Sequence, residues 1–364
     1  MRVSTNDLIA GCILSEDIFG LTSRPIIEKN TVLTDELIEV LHLFLVPNVK
    51  VEKTLVVGTP FHAIEVVGMD EHENKKDPLY THSEDDFITL FLQATQEYKK
   101  EFLLWQSGIP IDISKVRMIL LPLLDVTIKR SSEIFSLHHL SNNEEYYDQH
   151  AVAVGLLCSF IARKLNYSKG EVVQAALAGI LADCGMAKVS PRILQKKTAL
   201  TPREYEEVTN HPKFSYQMIQ HVSLLKEGAK VAIIQHHERL DGSGYPFGLA
   251  NNKIHKVAKM IGVADTYHAM TSERLYRKKQ SPFKVLELMR QDYFGKYDLS
   301  ILTALSTGIL NFTVGSRVRL SNGQLGEVLY IAEKSPTRPL IKILGTEQIM
   351  NLEENRHLFI EEII

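Results

Sequence analysis

The sequence predicts a mainly helical protein with a small α+β segment in front of the helices and a small β-barrel-like segment behind them, and three observations carry this. Between residue 87 and about residue 310, apolar residues recur at three- and four-residue spacing, the period of a helix with one buried face. Before that stretch lie short β-branched runs split by Gly11, Gly20 and Pro25. After Thr313 the pattern changes to short alternating strands separated by glycine-containing turns.

Taken in order, residues 1–69 read as a small N-terminal α+β domain, with strand-forming runs such as Thr54-Leu-Val-Val57 and one helix over 35–45. Residues 70–86 are polar and charged, contain Pro78 and show no apolar period, so they read as a linker. A helical connector covers 87–140, made of 87–106 and 113–140 and interrupted at Gly108-Ile109-Pro110, where a helix cannot continue. A helical domain covers 141–312. Within it Thr201-Pro-Arg-Glu204 is a capping box with proline at the first helical position, a strong start signal. Pro212 disfavours the α conformation at His211, so that histidine is expected at a break between helices and free to face a cleft. Residues 313–364 form the C-terminal β domain, with Ser321-Asn-Gly323 as a hairpin turn.

Bulk properties exclude some functions. With 45% hydrophobic residues the chain can bury a large core, and a formal net charge of −3 gives no global attraction to duplex nucleic acid or an anionic membrane. The longest apolar run, 151–162, is too short to span a bilayer, so no membrane insertion is expected. Three widely spaced cysteines, Cys12, Cys158 and Cys184, sit in apolar surroundings. An odd number of buried thiols suits a reducing, cytoplasmic compartment better than a disulfide framework.

The strongest chemical signal is Gln235-His-His-Glu-Arg-Leu-Asp-Gly-Ser-Gly-Tyr-Pro246, two adjacent histidines at a helix end running into a glycine-rich loop. Gly242 and Gly244 are expected to take positive φ and let backbone approach a ligand, while His236 and His237 offer imidazole nitrogens to a metal. A bare His-His pair is more often a packing feature; the loop that follows changes the balance.

This segment resembles the second half of the HD-GYP signature, HHxRxDGxGYP, complete with its tyrosine. The resemblance runs from Glu145-Tyr-Tyr-Asp-Gln-His150, through Asn210-His-Pro212 and Val263-Ala-Asp265, to Thr271-Ser-Glu-Arg-Leu-Tyr-Arg277. It implies a helical HD-superfamily domain around one or two divalent metal ions, iron or manganese, acting on cyclic di-GMP. Two such cations would clamp the phosphate oxygens for in-line attack on phosphorus. On the same basis His150, Asp183, His211, His236, His237 and Asp265 are the implied metal ligands, with Asp183 bridging and catalytic. Arg274, Arg277, Asp241, Gly242, Gly244 and Tyr245 are the implied substrate-binding residues. Lys278 and Lys279 read better as charges complementing a helix end. Further implied partners are other signalling proteins, through the GYP loop or the flanking domains, and a second copy of the chain.

The departures from the family matter as much. Where the family reads His-Asp-x-Gly-Lys, this chain reads Ala182-Asp183-Cys184-Gly185-Met186, so a histidine and a lysine are missing. One metal position should therefore keep three ligands, His150, Asp183 and Asp265, while the other keeps Asp183, His211, His236 and His237. Met186 removes a cation near the phosphate, which points to weak turnover. A third departure is His268, where the family usually has aspartate. Either the missing lysine and aspartate were a charge pair whose joint removal avoids an unpaired buried ion, or His268 serves as a replacement ligand, or it is an ordinary packing or solvent-facing histidine. Cys184 reads as a small buried thiol, and Tyr146 stands where some members carry a glutamate for a third metal, which Glu144 or Glu145 would replace only in part. The expected function is a degenerate metal- and nucleotide-binding member of cyclic di-GMP signalling. The alternatives are an active phosphodiesterase and a ligand-free interaction scaffold.

Overall fold

The computed structural model describes residues 1–19, 25–27, 29, 31–43, 46, 48–56, 59–61, 87–140, 145–196, 198–273, 279–291, 295–310, 312–332 and 334–364. The chain divides into two units, residues 1–82 and 83–364. The expected linker at 70–86 lies outside the described residues.

The first unit holds β1 (Arg2–Ser4), β2 (Ile18–Phe19), β3 (Pro25–Ile27), α1 (Asp35–Leu43) and β4 (Asn48–Lys50). β1 pairs antiparallel with β4, and β2 with β3, giving two two-stranded sheets. Its own apolar core gathers Val3, Cys12, Leu14, Leu33, Leu41 and Val49, so the small unit buries a hydrophobic centre despite its short strands.

The second unit is built around one nearly encased helix. α2 (Phe87–Gln106) and α3 (Ile113–Lys129) form where the spacing predicts them, and the side chain of Asp112 caps α3 by accepting from Ser114 N–H. The helical run expected to reach residue 140 stops at Lys129 and continues as a 3-10 helix, Ser131–His139. Next comes α4 (Tyr146–Lys164), buried from Asp148 through Ala162 without interruption. A helix apolar all round belongs at the centre of a bundle, and α4 takes that place. α5 (Lys169–Leu181) starts at a Ser168/Glu171 capping box and packs tightly on α4. With the turn that follows it, α5 is apolar enough to resemble a membrane span, but 72% of that window is buried inside the protein, as in a core helix.

The remaining helices surround this pair: α6 (Pro191–Leu194), α7 (Pro202–Thr209), α8 (His211–Ile219), α9 (Glu227–Gln235), α10 (Lys256–Thr271), α11 (Pro282–Gln291) and α12 (Leu299–Ile309). The Thr201/Glu204 box and Pro202 begin α7 as the sequence requires. That helix ends at Thr209, so His211 opens α8 at a break between the two.

The C-terminal strands correct one expectation. β5 (Arg317–Leu320), β6 (Leu325–Tyr330), β7 (Leu340–Ile343), β8 (Ile349–Asn351) and β9 (Ile360–Ile363) form an antiparallel sheet in the order β8-β7-β6-β5-β9. β8 and β9 lie at opposite edges and do not pair, so the sheet is open rather than a barrel. The Asn322-Gly323 turn between β5 and β6 closes with Gly323 N–H donating to Leu320 C=O. Closure is unnecessary because one face of the sheet is covered: Val318, Leu320, Val328, Ile341 and Ile360 join the same apolar core as the helices. Two polar ties hold it there, Ser281 Oγ to Ile360 C=O at 2.6 Å and the shielded pair Arg338–Glu287 at 2.6 Å.

Candidate metal centre

Five segments meet in a depression beside the middle of the bundle. His150 comes from the N-terminal part of α4, and Asp183 from the residue after the C-cap of α5. His211 is the first residue of α8, His236 the C-cap of α9 with His237 next to it, and Asp265 lies in α10.

Small residues bring these segments close. After Asp183 the chain turns into a 3-10 helix, Cys184–Lys188. A Cβ on Gly185 would stand 2.2 Å from His211 C=O and 2.4 Å from Ser215 N, so only glycine lets this turn lie on α8. Ser215 fastens the contact, accepting from Gly185 N–H at 2.8 Å and donating to Ala182 C=O at 2.7 Å. In the loop after His237, Gly242 takes φ +80° as expected. Gly244 does not; it is needed for space, because a Cβ there would meet Glu238 Cα and His237 O at 2.4 Å. The loop folds back onto the histidine pair, with Tyr245 N–H donating to His237 C=O at 3.2 Å and a cis Tyr245–Pro246 peptide.

The donor atoms converge in two groups, Asp183 with His211, His236 and His237, and His150 with Asp183 and Asp265. In the first group, Asp183 Oδ1 lies 3.0 Å from His211 Nε2 and 3.3 Å from His236 Nε2, and the two nitrogens are 3.2 Å apart. The opposite ring nitrogens are committed. His211 Nδ1 is 2.7 Å from Val208 C=O, and His236 Nδ1 is 2.6 Å from Ile233 C=O. A carbonyl only accepts, so both Nδ1 atoms carry the proton and, in the neutral rings, both Nε2 atoms present lone pairs. Asp183 Oδ1 is itself buried without a hydrogen bond. Three lone-pair atoms at these distances repel one another unless a proton or a metal ion sits among them, and a mixed N/O donor set of this kind fits a divalent transition metal.

The second group differs. His150 Nε2 is 3.0 Å from Asp265 Oδ1 in hydrogen-bonding geometry and 3.7 Å from Asp183 Oδ2. With Nε2 protonated this pair satisfies itself without a cation. Ala182, where the resemblance expects histidine, adds no donor; it lines a tight pocket with Ala151, Val154 and Gly179.

Burial sets the protonation that ligands need. It would raise the carboxyl pKa values of Asp183 and Asp265, but neighbouring imidazoles outweigh it and hold both well below the carboxylate range. For His237, burial and the neighbouring His236 push the pKa down, which keeps the ring neutral. The side chains facing outward are Asp183 (20% exposed), His237 (16%) and Asp265 (14%), so these three form the edge of the site open to solvent. Tyr245 lies over it, its ring 4.6 Å from that of His237.

Other sequence-derived candidates are placed as follows. Asp241 shapes the loop, its Oδ1 accepting from Ser243 N–H at 3.0 Å and Ser243 Oγ at 2.6 Å. Met186 is buried in the 3-10 helix, and Cys184 is buried, its thiol pushed up to about 12 by that burial, and belongs to neither donor group. Arg274 and Arg277 lie outside the described residues. His268 is not solvent-facing and belongs to neither donor group: it is buried behind His150, with the two Nδ1 atoms 2.9 Å apart.

Two features were missed. Glu238 is buried and clamps the loop, its carboxylate accepting from Phe247 N–H and Leu249 N–H at 2.8 Å each. Tyr146 OH lies 3.3 Å from His150 Nδ1. The i,i+4 spacing of Tyr146 and His150 on one helix was the available signal for the second; for Glu238 there was none.

A family profile described as HD domain matches residues 136–301. The chain is 34% identical over 216 residues to the cyclic di-GMP phosphodiesterase PA4108 of Pseudomonas aeruginosa, covering 59% of this chain and 52% of that one. It is 35% identical over 147 residues to a cyclic di-GMP phosphodiesterase of Thermotoga maritima, covering 39% and 40%. To the 3'3'-cGAMP-specific phosphodiesterase 3 of Vibrio cholerae it is 31% identical over 164 residues, covering 45% and 35%. The chain thus spans about half the length, or less, of these relatives. The fold is shared with Bd1817, an HDG"Y"P protein from Bdellovibrio bacteriovorus, at a TM-score of 0.52 and 13% identity, covering 85% of this chain and 99% of that one. Residues 136–301 thus match the HD domain family, and the chain is similar over that region to cyclic dinucleotide phosphodiesterases.

Proposed function

We propose that this protein binds a cyclic dinucleotide of the cyclic di-GMP class at a metal centre that holds one divalent cation firmly and a second weakly, and that it hydrolyses the nucleotide slowly. The observation that carries this is the meeting of Asp183 Oδ1 with the Nε2 atoms of His211 and His236, whose Nδ1 atoms are committed to backbone carbonyls, an arrangement that a divalent cation stabilises. Iron or manganese suits the donor set best. A cation there supplies Lewis-acid polarisation of a phosphoryl oxygen and an activated water. Asp183, reaching both donor groups, is the proposed bridge and catalytic residue, with His150, His211, His236, His237 and Asp265 as the other ligands.

The protein's own residues do the rest. The loop of Asp241, Gly242 and Gly244 sets Tyr245 over the open edge, where its phenol, kept protonated by burial, can donate to a phosphate oxygen. Arg274 and Arg277 are proposed from sequence as phosphate-binding forks. Slow turnover follows from Ala182 and Met186, since the His150 position keeps three ligands and Met186 brings no cation to the developing charge. A cytoplasmic setting rests on the three free, buried cysteines. Other signalling proteins, or a second copy of the chain, are proposed to dock through the loop or flanking regions.

A second reading, a fully active phosphodiesterase, is favoured by the complete Asp183/His211/His236/His237 group and the built loop. The test is anaerobic loading with iron or manganese, followed by binding and product analysis with cyclic di-GMP and 3'3'-cGAMP in parallel, beside a D183A control. Tight metal-dependent binding of one nucleotide with slow appearance of linear dinucleotide, absent in D183A, is expected. Fast turnover would favour the second reading. Failure to bind metal or either nucleotide would sink both.

A further inference from the structure

Resting on the metal-binding reading above, the geometry points to His268 as the positioning residue of the weaker metal position, through the nitrogen of His150 that faces away from the site. His211 and His236 have their tautomers fixed by backbone carbonyls, which cannot change role. His150 is not fixed in that way. Its Nδ1 faces His268 Nδ1 at 2.9 Å and Tyr146 OH at 3.3 Å, and both partners can donate or accept.

This makes His150 a ligand with two states. In one, Nε2–H donates to Asp265 Oδ1 at 3.0 Å and Nδ1 accepts from His268, so the position closes on itself. In the other, Nδ1–H donates to His268 Nδ1 and Nε2 is bare and free to ligate. Each ring keeps one proton in both states. Passing between them, the proton shared by the two Nδ1 atoms crosses to His150, the Nε2 proton of His150 leaves, and His268 takes one up at its own Nε2. Ser272 Oγ lies beside the His268 ring within reach of both nitrogens, 3.2 Å from Nδ1 and 3.4 Å from Nε2, able to accept or donate. Ordering of a ligand ring by its far nitrogen commonly changes metal affinity by about 10–100-fold. Here that control rests on a side chain one helical turn from Asp265, itself in the same position.

The experiment is a Mn²⁺ titration of the full chain, followed by the electron paramagnetic resonance of free Mn²⁺, which reads occupancy without activity. The wild type is expected to show a tight and a weaker ion. H268L keeps the volume and removes the acceptor; it should weaken the second ion tenfold or more and leave the first unchanged. H268N, whose side-chain oxygen can replace Nδ1 as acceptor, should restore the second ion to within about threefold, and Y146F should leave both ions in place. Unchanged binding in H268L, equal loss in H268L and H268N, or loss in Y146F with none in H268L would each overturn the inference. So would a single ion in the wild type, which would remove the second cation from the function reading and leave nucleotide binding at the first, whereas no ion at all would remove that reading as well.

Discussion

Ala182 is where a single residue does most to set this centre's chemistry. It follows α5, is buried, and lines the pocket beside His150, Asp183 and Asp265 without contributing a donor. A182H is expected to add a fourth ligand to that position, raising bound Mn²⁺ by one equivalent in elemental analysis and speeding hydrolysis of the cyclic dinucleotide in the same preparation. An unchanged metal content would show that the pocket does not admit an imidazole in ligating orientation. Gly244 gives the complementary case of a residue fixed by space. A methyl group there meets the backbone of His237 and Glu238, so G244A should lower unfolding free energy by about 1–3 kcal/mol in denaturant titrations and displace Tyr245. The glycine pattern was plain in the sequence, but its reason was not: Gly242 answers to backbone angle and Gly244 to contact.

Among the elements, the 3-10 helix Ser131–His139 was the least legible, because its apolar spacing continues that of α3 and nothing local marks the change of helix type. It carries His138, whose pKa burial pushes down to about 4, with the neighbouring His139 adding to the shift. The folded state therefore binds its proton less readily than the unfolded state. Stability from this group is present above about pH 6.5 and is lost as pH falls toward 4, by up to about 3 kcal/mol. H138Q should flatten the dependence of unfolding free energy on pH between 6.5 and 4; an unchanged slope would show that other groups govern it. The helix start at Thr201, by contrast, was legible because capping is local chemistry between residues two or three apart.

For the molecule as a whole, the sheet of β5–β9 stays attached to the helices through a shared apolar core and the shielded Arg338–Glu287 pair. Arg338 also donates to Leu352 C=O at 2.8 Å and Leu358 C=O at 3.2 Å, so one side chain gathers the sheet's last segments and ties them to α11. R338M leaves Glu287 buried without its partner. It should destabilise the 83–364 unit by about 3 kcal/mol in denaturant titrations, with faster amide exchange concentrated in β7–β9. Exchange rising equally throughout the helices would show that sheet and helices unfold as one. An open sheet instead of a barrel belongs to this scale too, since strand spacing looks the same for both and only the covering helices make closure unnecessary.

By itself the sequence determined the helical class, the capped start at Thr201, the glycine loop after the paired histidines and the set of donor types, because each depends on residues near one another in the chain. Tertiary structure decided which nitrogen of each histidine is bare. His211 and His236 are set by carbonyls three residues back, whereas His150 depends on His268, 118 residues away. A tautomer is fixed by whatever the far side of the ring meets, and for His150 that partner exists only once α4 and α10 have packed together.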